Sequence, residues 1–87
     1  MNFTRSRTFD KKIARADKYL RTAFAERMSI FIENPFNPLL NNHALRGKHQ
    51  HERSINITSD YRLIYEIVGS EAIRLLDIDT HHNLYGK

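Results

Sequence analysis

The hydrophobic period of this 87-residue chain changes once, from helical to alternating. Ile13, Ala16, Leu20, Ala23, Phe24, Met28, Phe31 and Ile32 recur at helical spacing up to Pro35, which cannot continue a helix. From Arg53 onward the period is two. Ile55 and Ile57 fall on one face of a strand and Ser54 and Asn56 on the other. A chain this short buries one modest core, so the helical region and the strands must share it in a single domain spanning residues 1–87.

The boundaries follow from local chemistry. Residues 2–8 read as a short strand, and Asp10 is expected to cap the following helix, with Phe9 stapled onto a residue one turn in, such as Ala14. The helical region covers residues 10–33. It is compatible with one long helix or with a hairpin turning within residues 18–22, in which case Thr22 caps the second helix. Residues 34–42, with two prolines and four asparagines, form a loop. Thr58-Ser59-Asp60 is turn chemistry between strands 53–57 and 61–68, and Gly69-Ser70 turns the chain into a last strand over 72–78. Consecutive strands joined by tight turns are antiparallel. The fold class is therefore α+β: a mainly antiparallel sheet of an N-terminal strand and a C-terminal three-strand meander, packed against the helical region.

The chain has no cysteine, which excludes disulfides and thiolate metal sites. No apolar stretch reaches the length of a bilayer span and the first residues lack the apolar core of a secretory signal, so a cytoplasmic protein without membrane contact is expected. The net charge is +4, unevenly spread: eleven basic and five acidic residues up to Arg53, three and five beyond it. The first two thirds thus suits a phosphate-bearing partner.

Chemistry gathers late in the chain. The helix ending in Asn34-Pro35, the segment His43-Ala44-Leu45-Arg46-Gly47, the run Asp60-Tyr61-Arg62-Leu63-Ile64-Tyr65 and the closing Thr80-His81-His82-Asn83-Leu84-Tyr85-Gly86 occur in that order. Together they resemble toxins of the RelE/ParE superfamily, and most of all the YafQ type. The resemblance implies a RelE-like fold and a bacterial type II toxin, an endoribonuclease that cleaves mRNA on the ribosome and is silenced by a cognate antitoxin protein. It places His43, Asp60 and His81 where the YafQ type keeps catalytic residues, Arg62 where relatives keep a phosphate-contacting arginine, and Tyr85 where an aromatic is common. Two positions depart from the pattern: Asn56 stands in place of a further histidine, and Asp79 in place of a closing glycine.

Cleavage of RNA at its own 2′-hydroxyl needs a base, positive charge at the phosphate and an acid for the leaving 5′-oxygen; it needs no metal and no cofactor. Histidine suits both proton roles near neutrality. On this reading His81 leads proton transfer, His43 is second, Asp60 orients or serves as the alternative base, and Arg62 clamps the phosphate. Arg46, Lys48 and Arg53 steer RNA, Asn56 contacts it, and Tyr85 stacks on an unpaired base or anchors the tail. His49 and His51 share a face if extended, a spacing that can seat a metal, but a solvated polar loop explains them better. His82 matches no required position. Two other readings compete: a ParE-like toxin that binds DNA gyrase without chemistry of its own, and a small module that holds RNA without cutting it.

Overall fold

The computed structural model describes residues 1–47 and 51–85. Strand β1 (Asn2–Arg5) leads into helices α1 (Arg7–Arg15) and α2 (Lys18–Glu33) and a 3₁₀ turn (Pro38–Leu40). Strands β2 (His43–Ala44), β3 (Glu52–Asn56), β4 (Tyr61–Gly69) and β5 (Ala72–Thr80) follow, and helix α3 (His81–Tyr85) closes the described chain. The strands form one sheet in the order β1-β5-β4-β3-β2, with β1 parallel to β5 and every other pair antiparallel. This is the expected α+β arrangement, with two additions: the edge strand β2 and the terminal helix.

The helical region is a pair, and both of its caps differ from expectation. Ser6, not Asp10, caps α1: its backbone is extended and its Oγ accepts from the Phe9 amide at 3.0 Å. The same hydroxyl donates to the Leu76 carbonyl on β5 at 2.6 Å, so a tertiary partner decides where the helix begins. Asp10 lies within the first turn, paired with Arg5 at 3.1 Å. Phe9 is a buried core residue whose ring meets that of Phe24 at 5.5 Å, so it does not act as a staple ahead of the helix. The break falls at Ala16 and Asp17, where the Asp17 carboxylate accepts from the Leu20 amide at 2.8 Å; Thr22 is inside α2 and caps nothing. Helix α2 stops at Glu33, two residues before Pro35.

The alternation sets the register. Ile55, Leu63 and Ile78 stand opposite one another on β3, β4 and β5 and are all buried with Phe9, Leu20 and Phe31 of the helices. Burying a side chain of this size is worth about 1.5–3 kcal/mol, and a one-residue slip would turn the whole row to water. The rows between them, Ser54–Ile64–Asp77 and Asn56–Arg62–Asp79, therefore face away from this core. A register shift beyond Ile64 leaves Leu76 with no opposite residue on β4, and Leu76 and Asp77 both line that second face. Strand β1 pairs only with residues 72–75 of β5, and α1 packs along β5 next to it.

Candidate functional site

The second face of the sheet carries the candidate site, and register brings its parts together. His43 on β2 stands opposite Ser54 on β3, so their side chains share a face. Ser54 has no exposed surface, and its Oγ accepts from the Tyr85 hydroxyl at 2.8 Å. The Tyr85 ring in turn lies 4.6 Å from the His81 ring, tilted by 56°. His43, Ser54, Tyr85 and His81 thus form one series running from the edge strand to the terminal helix. The tail is held against the sheet, and Tyr85 is its anchor.

Each histidine has a distinct setting. Nδ1 of His43 is 2.8 Å from the carbonyl of Asn41, a residue in the left-handed conformation (φ 48°). A neutral His43 ring donating there keeps its acceptor lone pair on Nε2. His81 is exposed and opens α3, and its main-chain amide donates to the Asp60 carbonyl at 2.8 Å. Asp60 is exposed in the turn between β3 and β4, so the structure brings Asp60 and His81 together through the backbone.

Arg62 stands between Asn56 and Asp79 in register. Its Nη1 donates to the carbonyls of Thr58, Ser59 and Tyr61 at 3.0, 3.1 and 3.1 Å, bracing the turn that carries Asp60. Asn56 places a buried Oδ1 beside this row without a hydrogen-bond partner among the described residues. An unsatisfied acceptor of that kind is costly unless a water or a ligand supplies a donor.

A cavity of about 630 Å³ adjoins the series, lined by Leu45, Arg46, Ile64, Asp77, Leu84 and Tyr85 among others. Arg46 is thus brought to the site. Arg53 is not: the alternation that buries Ile55 turns it to the core face, where its Nε donates to Asn42 at 2.8 Å and its guanidinium lies 5.4 Å from the centre of the Phe36 ring. Lys48 and His49 lie outside the described residues, and His51 is exposed. Among the described residues no group of three His, Asp or Glu could hold a metal ion.

The model of the YafQ toxin family, bacterial toxins of type II toxin-antitoxin systems, matches residues 1–86. The chain belongs to the YafQ toxin family. Its fold is similar to that of E. coli YafQ, strain BL21(DE3), at 22% identity, with 98% of each chain covered and a TM-score of 0.81. It is similar as well to the YoeB/ParE toxin of Agrobacterium tumefaciens, at 19% identity, covering 93% of this chain and 99% of that one with a TM-score of 0.79. YafQ in the E. coli DinJ-YafQ toxin-antitoxin complex matches at 22% identity, 98% and 97% coverage and a TM-score of 0.79. Among curated proteins none matches the sequence.

Within this YafQ-type fold, Asp79 has a definite role in the structure. Its Oδ2 accepts from Nζ of Lys12 on α1 at 2.9 Å, and its Oδ1 accepts from the Asn83 side chain at 2.9 Å and the Thr80 amide at 2.7 Å. Burial is the largest single influence on this carboxyl and acts to raise its pKa. The bonds from Lys12, Asn83 and Thr80 together outweigh it and hold the group below its ordinary value. Lys12 shows the mirror image: burial pulls its pKa down, and Asp77 and Asp79 raise it above the ordinary lysine value. Lys12 Nζ is also 2.8 Å from Oδ1 of Asp77, an ion pair that lacks hydrogen-bond alignment. Neither Lys12 nor Ser54 carries a local signal in the sequence, because each acquires its partner across the assembled sheet.

Proposed function

We propose that this YafQ-family toxin is a ribosome-dependent endoribonuclease that cleaves mRNA by metal-independent acid/base catalysis. The observation that carries the reading is the series His43, Ser54, Tyr85 and His81 on one face, flanked by Arg62 and Asn56. Two imidazoles supply the base that takes the 2′-hydroxyl proton and the acid that protonates the departing 5′-oxygen. A positioned group of either kind is worth about a hundred- to ten-thousandfold in rate. Attack of the 2′-oxygen on phosphorus breaks the bond to the 5′-oxygen and crowds negative charge at the phosphate, where Arg62 and the Asn56 amide are the neighbouring polar groups. Asp60 orients His81 or serves as the alternative base. Arg46 and Lys48 steer the RNA, and the Tyr85 ring is a stacking surface for an unpaired base. Arg53, held on the core face, contributes to stability more than to RNA contact.

E. coli YafQ is found in complex with DinJ, and by that likeness this chain has its own antitoxin. The exposed cations Arg7, Lys11, Arg15, Lys18 and Arg21 on α1 and α2 suit a partner with an acidic segment that folds on binding. No helix among the described residues is long and apolar enough to cross a membrane. The proposed site of action is the cytoplasm, where translated message is found.

The test is expression of the chain with and without its genomic neighbour, followed by mapping of the 5′ ends of cellular mRNA. In-frame cuts within translated regions are the expected result. Intact message accompanied by damaged DNA would replace this reading with gyrase binding.

A further inference from the structure

Helix α3 is five residues long, whereas isolated helices shorter than about 12–15 residues are marginal in water. Its position, and with it that of His81, is set by what grips its ends. At the carboxyl end the grip is the Tyr85–Ser54 hydrogen bond. At the amino end Thr80 Oγ1 accepts from the Asn83 amide at 3.1 Å, and Asp79 holds both the Thr80 amide and the Asn83 side chain. The remaining oxygen of Asp79 is taken by Lys12, 67 residues away in sequence, through a 2.9 Å charge-assisted hydrogen bond.

We propose that Lys12 and Asp79 form a latch that ties α1 to the amino end of α3 and fixes the position of the His81 imidazole. Both are positioning residues. The latch itself stands on the geometry of α3; its catalytic consequence rests on the nuclease reading above. Lys12 has a second effect. Asp77 and Asp79 are two apart on β5, both reach Lys12, and Asp79 is the register neighbour of Arg62. With the ammonium gone, two carboxylates would stand uncompensated beside the position proposed for a phosphate, and their repulsion would weaken RNA binding.

The experiment compares Lys12→Met, Lys12→Arg and Asp79→Gly in the full chain, by amide hydrogen exchange, by the NMR shifts of the His81 ring and by cleavage of translated message. In Lys12→Met and Asp79→Gly, the amides of residues 81–85 are expected to exchange about tenfold faster while those of Leu63 and Ile64 keep their protection. The His81 ring signals lose the shift imposed by the Tyr85 ring. The rate constant kcat falls about ten- to a hundredfold, the scale of a small misplacement of a reacting group. Lys12→Met also raises KM. Lys12→Arg restores both constants, an outcome that loss of packing alone would not give. Unchanged exchange over residues 81–85 together with an unchanged His81 ring shift in folded variants would overturn the latch. If Lys12→Met does not fold, Asp79→Gly decides, since it removes the Lys12–Asp79 bond from the strand side, together with the bonds of Asp79 to Asn83 and Thr80. If the wild-type chain leaves message intact, the nuclease reading fails, while exchange and ring shifts still decide the latch.

Discussion

The Tyr85 hydroxyl donates a 2.8 Å hydrogen bond to Oγ of Ser54, a side chain with no exposed surface in the middle of β3. The bond joins the last helix to a strand 31 residues earlier. The two ends are not equivalent, since Tyr85 is 39% exposed and can turn to water while Ser54 cannot. Tyr85→Phe is therefore expected to cost more stability in urea denaturation, about 1–3 kcal/mol for a stranded buried oxygen, than Ser54→Ala at about 1 kcal/mol.

His81 is exposed, its hydrogen bond to the fold is made by its backbone amide, and its ring meets the partly exposed Tyr85 ring at the surface, so removing the imidazole largely spares the fold. His81→Ala is expected to keep the wild-type melting temperature within a few degrees and to lose about a hundred- to ten-thousandfold in message cleavage. Growth arrest of undiminished strength in this variant would count against proton transfer by His81.

Arg62 holds three carbonyls of one turn through a single nitrogen, and that turn carries Asp60. Arg62→Met is expected to destabilise the chain by about 1–3 kcal/mol in urea, as carbonyls lose a charged donor. Arg62→Lys should recover part of that stability, while cleavage recovers less because the planar fork of the guanidinium is gone. Equal recovery of stability and cleavage would mean that Arg62 acts only through the turn.

The pH dependence follows from Asp79 and Lys12. The folded-state pKa of Asp79 lies below the ordinary value of 3.8, so its contribution is present above that pH and is lost as pH falls through the lower folded value. The pKa of Lys12 is raised above 10.5, so its share is present below that pH and is lost as pH rises through the higher folded value. Urea titrations across the acid range are expected to show an acid-side loss in the wild type that is smaller in Asp79→Asn. Identical acid profiles would place the loss in other carboxylates.

Much of the fold is legible residue by residue. Ile55 and Ile57 alternate because one face of this segment is buried, Pro35 ends α2 because it cannot continue a helix, and the turn expected at Gly69-Ser70 falls one residue later, at Ser70-Glu71, because Gly69 still pairs with Ala72. The same alternation decides the site: it turns Ser54 and Asn56 toward His43 and Arg62, and it turns Arg53 away from them to Phe36. The face of Arg53 was thus readable from its spacing to Ile55, although its charge suggested RNA.

Periodicity is a nearest-neighbour property, so the chain by itself determined that residues 10–33 are helical, that the segments from Arg53 to Ile78 are strands, and which rows of the meander face away from the core. The tertiary structure alone decided that α1 starts at Ser6, because the hydroxyl that caps it is pinned by the Leu76 carbonyl 70 residues on. It alone decided that residues 81–85 coil into a helix, since five residues hold that form only when Lys12, Asp79 and Ser54 grip both ends. Lys12 and Ser54 are 67 and 31 residues from Asp79 and Tyr85, and these pairs meet only once β5 has been laid between β1 and β4 and the core behind it has closed.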